Sequence, residues 1–219
     1  IVGYISKNNI PTKEEANICN NDLTQTDLFV GAHWPSYGFD ESNSRNQTDT
    51  KISSSNIEKL ELRWSFGIKN VQVRSQPVVI GKMVLLSGAN TLYAVDKEKG
   101  CIYWSFISKS QIRNSVAFDK QTEDAIYVID NDFIVYKLKA VDGTIIWKTK
   151  IPKEHESNTP SASPLQVDRY LLIPVSTYET VMAMDPRYEC CKSSGAMVAI
   201  DTVTGNILWN HRVEQKPKS

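Results

Sequence analysis

Two cysteines stand side by side, Cys190 and Cys191. Neighbouring thiols can close on each other as a disulfide in an oxidising compartment. Two further cysteines, Cys19 and Cys101, leave an alternative in which Cys190 and Cys191 each bond to one of these. Cys101 precedes Ile102 in an apolar run and reads as a small buried residue. Cys19 lies in a polar stretch and reads as a tether, and the sequence leaves the pairing of these two open. His33, His155 and His211 show no metal-ligand spacing, so no metal ligand is assigned. The chain carries no nucleophile elbow, no phosphate-cradling glycine loop, no Cys-x-x-Cys and no Cys-x-x-Cys-His haem motif. Asn46-Gln47-Thr48 is a glycosylation acceptor triplet at Asn46. With the cysteine pair, it points to a secreted or extracellular protein, periplasmic if bacterial.

Charge and composition exclude other classes. The chain has 25 Lys and Arg against 25 Asp and Glu among 219 residues, a formal net charge of zero. That gives no electrostatic case for a nucleic acid or an anionic membrane as partner. Apolar residues at 41 % and charged residues at 23 % fit a globular chain and exclude bulk disorder. No apolar run approaches the roughly 20 residues needed to span a bilayer. The chain opens on Ile1 rather than Met, so the expectation is a processed product or a piece of a longer polypeptide.

The elements that must position these residues are strands. Residues 1–27 read as a polar tail, 28–63 as a lead-in segment, 64–212 as the repeat-bearing body, and 213–219 as a basic tail. Ser and Asn before Ile57 could cap a short helical turn. From Trp64 on, the runs PVVI, MVLLSG, TLYAV, CIYWSF, AIYVID, FIVYKL, TIIWKTK, YLLIPV, MVAI and NILWNHRV are short, rich in Val, Ile, Tyr and Trp, and bounded by Gly, Asp, Asn and Lys. None shows a sustained helical stripe, so the class is all-β.

An internal repeat fixes the architecture. TLYAVDKEKGCIYW, IVYKLKAVDGTIIW and MVAIDTVTGNILW align without gaps and end at Trp104, Trp147 and Trp209. Gly100, Gly143 and Gly205 each stand four residues before the tryptophan, and Asp96 and Asp201 stand eight before. Trp64 in LRWSF reads as the end of an earlier copy. An Asp-containing turn with a left-handed glycine closes a hairpin, and the tryptophan offers a broad surface with one N–H donor. Recurring every forty-odd residues, with an insertion around 176–194 before the last copy, this suits blades of a β-propeller packed by their tryptophans. Three to four blades close a ring poorly and leave a blade face bare. The remaining blades are therefore expected from the same longer chain or from a partner chain.

The repeat Ala-x-Asp-x-x-x-Gly-x-x-x-Trp resembles the tryptophan-docking repeat of quinoprotein dehydrogenases, eight-bladed propellers that bind pyrroloquinoline quinone (PQQ). HWPSYGFDESNSRNQ, SNIEKLELRWSF and ECCKSSGAMVAIDTVTG resemble segments of the polyvinyl-alcohol-dehydrogenase-like branch. The resemblance covers roughly residues 30–212.

The resemblance implies PQQ-dependent oxidation of an alcohol, with Ca²⁺ polarising the quinone as a Lewis acid and a carboxylate taking the hydroxyl proton. It implies that a Cys190–Cys191 disulfide lies against one face of PQQ. It places Arg113, in QIRNSVAF, toward the central channel as a partner for a cofactor carboxylate, with Arg74-Ser75 at the equivalent place one blade earlier. Glu179, in Thr177-Tyr178-Glu179, is the implied pocket acid, ahead of Asp185. The calcium ligands and catalytic acid are expected from blades outside this chain. Ser194 stands where the family usually carries an arginine, which leaves a non-catalytic binding or structural propeller as the alternative.

Overall fold

A computed structural model describes residues 17–40, 42–68 and 73–214. The tail expected at 1–16 and the last residues, 215–219, lie outside these. Strands β1 (Val78–Ile80), β2 (Met83–Gly88), β3 (Thr91–Asp96) and β4 (Ile102–Ile107) form one antiparallel sheet in that order. Strands β5 (Ala117–Phe118), β6 (Ala125–Ile129), β7 (Ile134–Lys139) and β8 (Ile145–Lys150) form the second. In the third, β9 (Asn158–Thr159) and β10 (Leu165–Val167) both pair with β11 (Tyr170–Thr177), which is followed by β12 (Ala196–Asp201) and β13 (Ile207–Arg212). These are three propeller blades. The one α-helix among the described residues, α1 (Glu179–Met182), is a single turn inside the insertion between β11 and β12.

Trp64, Trp104 and Trp147 each seat on the turn of the following blade. Trp64 Nε1 donates to Lys97 O at 2.9 Å, Trp104 Nε1 to Ala140 O at 3.1 Å, and Trp147 Nε1 to Thr202 O at 3.2 Å. All three acceptors stand three residues before the repeat glycine. A Cβ on Gly143 would lie 2.6 Å from the Trp104 ring, and its φ of +71° is left-handed. Only glycine satisfies both the turn and the stacked ring. The hairpin Asp does the rest: Asp96 Oδ1 accepts the N–H groups of Glu98 and Lys99, and Asp201 Oδ1 those of Val203 and Thr204. Trp209 occupies the same register opposite Ala199 as Trp104 does opposite Ala94. It is 42 % exposed, beside exposed Ile207 and Leu208.

Burial follows blade position. The middle blade has neighbours on both faces, so β6 is buried throughout, whereas β2 largely alternates. One cluster, including Ile80, Leu85, Leu92, Ile126 and Leu138, joins the first two blades, and another, including Tyr127, Phe133, Leu171, Ile173 and Ile200, joins the second and third. Within the second interface Lys137 is 6 % exposed, at the register position held by Ala94 and Ala199 in the other blades. Its Nζ pairs with Asp119 Oδ2 at 2.8 Å and donates to Thr202 O at 3.1 Å. Asp119 also accepts from Tyr127 Oη and Gln166 Nε2. Removing one member of a buried pair strands the other. Lys137→Met is therefore expected to cost about 3 kcal/mol in urea unfolding, and an unchanged midpoint would count against the pair.

Residues 17–40 bind the first blade. Ile18 bridges Ile102 in parallel, with Ile102 N donating to Asn17 O and Cys19 N to Ile102 O. A disulfide joins Cys19 to Cys101 across 82 residues. Cys101 is thus buried as expected, but bonded rather than merely packed. A short 3-10 turn at Gln25–Phe29 buries Leu28 completely. Trp34 exchanges both backbone hydrogen bonds with Val79 and so covers the free edge of β1.

Candidate functional site

Cys190 and Cys191 are joined to each other, half-buried, across a cis peptide in the β11–β12 insertion. The loop around them is fastened by Glu179, which is 1 % exposed. Glu179 Oε1 accepts Tyr188 Oη at 2.5 Å and the Lys192 N–H at 2.7 Å. Its Oε2 accepts the Ser193 N–H at 2.7 Å and Ser193 Oγ at 2.5 Å. Burial alone would raise this carboxyl. The hydrogen bonds from Ser193, Tyr188 and the two amides outweigh it and hold the group at about 2. Both oxygens that were expected to face a cofactor are thus spent on residues 188–193.

Ser157 and Asn158, which the sequence did not single out, complete the fastening together with Thr177 and His155. Ser193 Oγ lies 2.5 Å from Thr177 Oγ1 and 2.7 Å from Ser157 Oγ. Ser157 Oγ lies 2.8 Å from His155 Nδ1. Asn158 Nδ2 donates to Ser194 O at 3.1 Å.

Arg113 lines a different feature. A pocket of about 540 Å³ is bounded by Tyr37, Asp40, Arg74, Arg113, Asn114 and Ser161, among others. Its wall is built where the leads into the first strands of adjacent blades meet. Gln76 N donates to Ser115 Oγ at 2.8 Å, and Ser115 N to Ser163 Oγ at 3.0 Å. Asn114 is 3 % exposed and its Nδ2 donates to Pro160 O at 2.9 Å. Its Oδ1 is buried and has no hydrogen-bond partner among the described residues. An orphaned buried acceptor is costly unless something donates to it. A guanidinium and serine hydroxyls in one pocket suit a polar, anionic ligand.

The cysteine pair does not line this pocket, but one segment joins the two. Ser157 and Asn158 brace the disulfide loop, while Pro160, Ser161 and Ser163 touch or line the pocket. Asn158 and Ser161 are three residues apart, so their Cα atoms are within roughly 11 Å.

The other candidates stand apart. Asp185 is engaged by Arg187 in an exposed loop. Asn46 is exposed. Ser194 Oγ donates to Glu214 O at 2.8 Å. Among the described residues the one cluster with metal-ligand proximity is Cys19, Asp96 and Cys101, and its two thiols are already a disulfide.

The buried carboxylates set an acid limit. Glu179 lies at about 2, and Asp201 is held at about 2 by the Thr204 amide and Arg169. Asp119 is lower still: burial opposes its ionisation, but Lys137 and Tyr127 prevail. All are depressed below the unfolded range of roughly 3.9–4.3. Their stabilisation is therefore present above that range and lost as pH falls through it toward 2. The melting temperature is expected to drop steeply between about pH 4 and pH 2, and a flat profile there would contradict these partners.

Residues 46–219 match the PQQ_2 family, whose model is described as outer membrane protein assembly factor BamB. The chain belongs to this family of quinoprotein-dehydrogenase-like propellers. It is 30 % identical over 217 residues to the polyvinylalcohol dehydrogenase of Sphingopyxis sp. (strain 113P3), covering 94 % of this chain and 32 % of that protein. A second polyvinylalcohol dehydrogenase, from Pseudomonas sp., is 26 % identical over 90 % of this chain and 32 % of its own length. The quinohemoprotein alcohol dehydrogenase structure from Comamonas testosteroni superposes with a TM-score of 0.70 at 20 % identity, over 86 % of this chain and 28 % of that one. That likeness shows the fold. The chain spans about a third of the length of the curated relatives it matches.

Proposed function

We propose that this chain is part of a secreted, PQQ-dependent alcohol dehydrogenase and supplies one side of its cofactor pocket. The observation that carries the reading is the pocket of about 540 Å³ lined by the Arg113 guanidinium and by serines from the leads of adjacent blades. PQQ carries carboxylates, and a guanidinium with serine hydroxyls fits them. When bound, PQQ supplies a hydride acceptor for the alcohol carbon. Arg113 would hold a carboxylate with two parallel N–H donors. Cys190–Cys191 would form a polarisable wall at the far end of the 157–163 segment, held from behind by Glu179. Ca²⁺ and the proton-accepting carboxylate would come from other blades.

The relatives' names support the reaction class, and two disulfides with an exposed Asn46 acceptor support secretion. We take 64–212 as the blade-forming body, with 28–63 leading into it. The bare Trp209 face would receive a further blade whose turn glycine lies three residues after an acceptor carbonyl, as at the three docked interfaces.

A second reading is a non-catalytic propeller. Ser194, at the position where the resembled family has an arginine, turns its hydroxyl to Glu214 O and so offers nothing to an anion. A dye-linked assay separates the two. The full-length protein reconstituted with PQQ and Ca²⁺ is expected to reduce an artificial electron acceptor in the presence of an alcohol. PQQ binding with no turnover of primary or secondary alcohols would favour the non-catalytic reading.

A further inference from the structure

We propose that Glu179 is a positioning residue whose task is to hold the Cys190–Cys191 disulfide in place, acting through residues 188–193 and not on the cofactor itself. Its effect on quinone binding rests on the proposed function; its effect on the disulfide does not.

The carboxylate receives four hydrogen bonds from both flanks of the cysteine pair. Tyr188 lies two residues before Cys190, and the Lys192 and Ser193 amides directly follow Cys191. A buried carboxylate with four donors is a strong clamp, because each bond is charge-assisted and no water competes. A helix or strand could not supply it, since the loop has an irregular backbone and its amides need an acceptor from outside.

The clamp is itself anchored at three points. The first helical turn starts at Glu179, and Glu179 N donates to Thr177 Oγ1 at 3.2 Å. Thr177 pairs with Asn158 at the β9–β11 junction. Ser193 Oγ, having donated to Glu179, accepts from the Thr177 hydroxyl. Ser157 leads to His155, whose Nδ1 also accepts the Ser157 N–H at 3.2 Å. The disulfide loop is thus tied to β9, from which the chain runs directly into the pocket-lining residues 161–165.

The test compares the two disulfides of one molecule. Glu179→Gln cannot rebuild the clamp: glutamine offers one acceptor oxygen, and its NH₂ would face N–H donors. In the full-length protein titrated with dithiothreitol and then alkylated, peptide mass spectrometry reads each disulfide separately. Reduction transfers the bond from the Cys190–Cys191 sulfurs to dithiothreitol, which leaves as its cyclic disulfide. In Glu179→Gln, Cys190–Cys191 is expected to be reduced at least about tenfold faster than in wild type. Cys19–Cys101 is expected to be unchanged. Tyr188→Phe removes one donor and keeps the carboxylate, so it should give a smaller acceleration of roughly threefold even if Glu179→Gln folds poorly.

Equal rates at Cys190–Cys191 in variant and wild type would overturn the proposal, and so would equal acceleration of both disulfides, which would mean general loosening. PQQ affinity is read in the same samples and is expected to fall about tenfold in Glu179→Gln. If wild type takes up no PQQ, the proposed function fails while the disulfide ratio still judges the clamp.

Discussion

Trp104→Ala is expected to destabilise the chain by about 3 kcal/mol, the lower end of the cost of truncating a large packed aromatic. The ring lies on Gly143 and its N–H donates to Ala140 O. The truncation therefore opens a cavity and strands a carbonyl in one step. Chemical denaturation of this chain, wild type against variant, reads the effect. Trp209→Ala sets the contrast. Its ring is 42 % exposed here, so the same truncation is expected to cost less than about 1 kcal/mol in this chain. In the full-length protein it should cost as much as Trp104→Ala, because a further blade would cover it. Equal, small effects at Trp209 in both proteins would argue that no blade docks there.

The second large effect is on binding. Arg113→Ala is expected to weaken PQQ binding to the full-length protein by roughly 10- to 100-fold, the cost of losing a charge-assisted, two-pronged hydrogen bond. Arg113→Lys should recover only part of this, since a point charge replaces the planar fork. Isothermal titration against wild type measures both. Unfolding of the variants should stay within about 0.5 kcal/mol of wild type, because Arg113 is a half-buried pocket residue and not a core member. Affinity that does not respond to Arg113→Ala would place the cofactor carboxylates elsewhere.

The blades were legible in the sequence because their defining residues are local. A glycine four residues before a tryptophan, and an aspartate starting the turn, lie within one hairpin and recur. What escaped was short or distant. Strands β5 and β9 have two residues each and β10 has three, too few for an alternation to register. The one-turn helix at Glu179–Met182 is too short for a periodic stripe.

The Cys19–Cys101 bond closes across 82 residues, from a stretch whose polarity suggests a free tail. Lys137 is a lysine inside the run FIVYKL, and nothing local marks it as buried. It is buried because Asp119 and Thr202 O meet it from another strand and another blade. Glu179 reads as a loop acid, and two of its four donors are backbone amides, which no residue type announces. The same holds for Asn114: its identity is ordinary, and only its burial without a donor marks it.

The most direct test of the central claim is an equilibrium titration of the full-length apoprotein with PQQ in the presence of Ca²⁺, followed by quinone absorbance. A saturable 1:1 uptake that weakens in Arg113→Ala is the predicted result. No uptake by the wild-type protein would contradict a quinone pocket on these blades and leave the non-catalytic propeller as the reading.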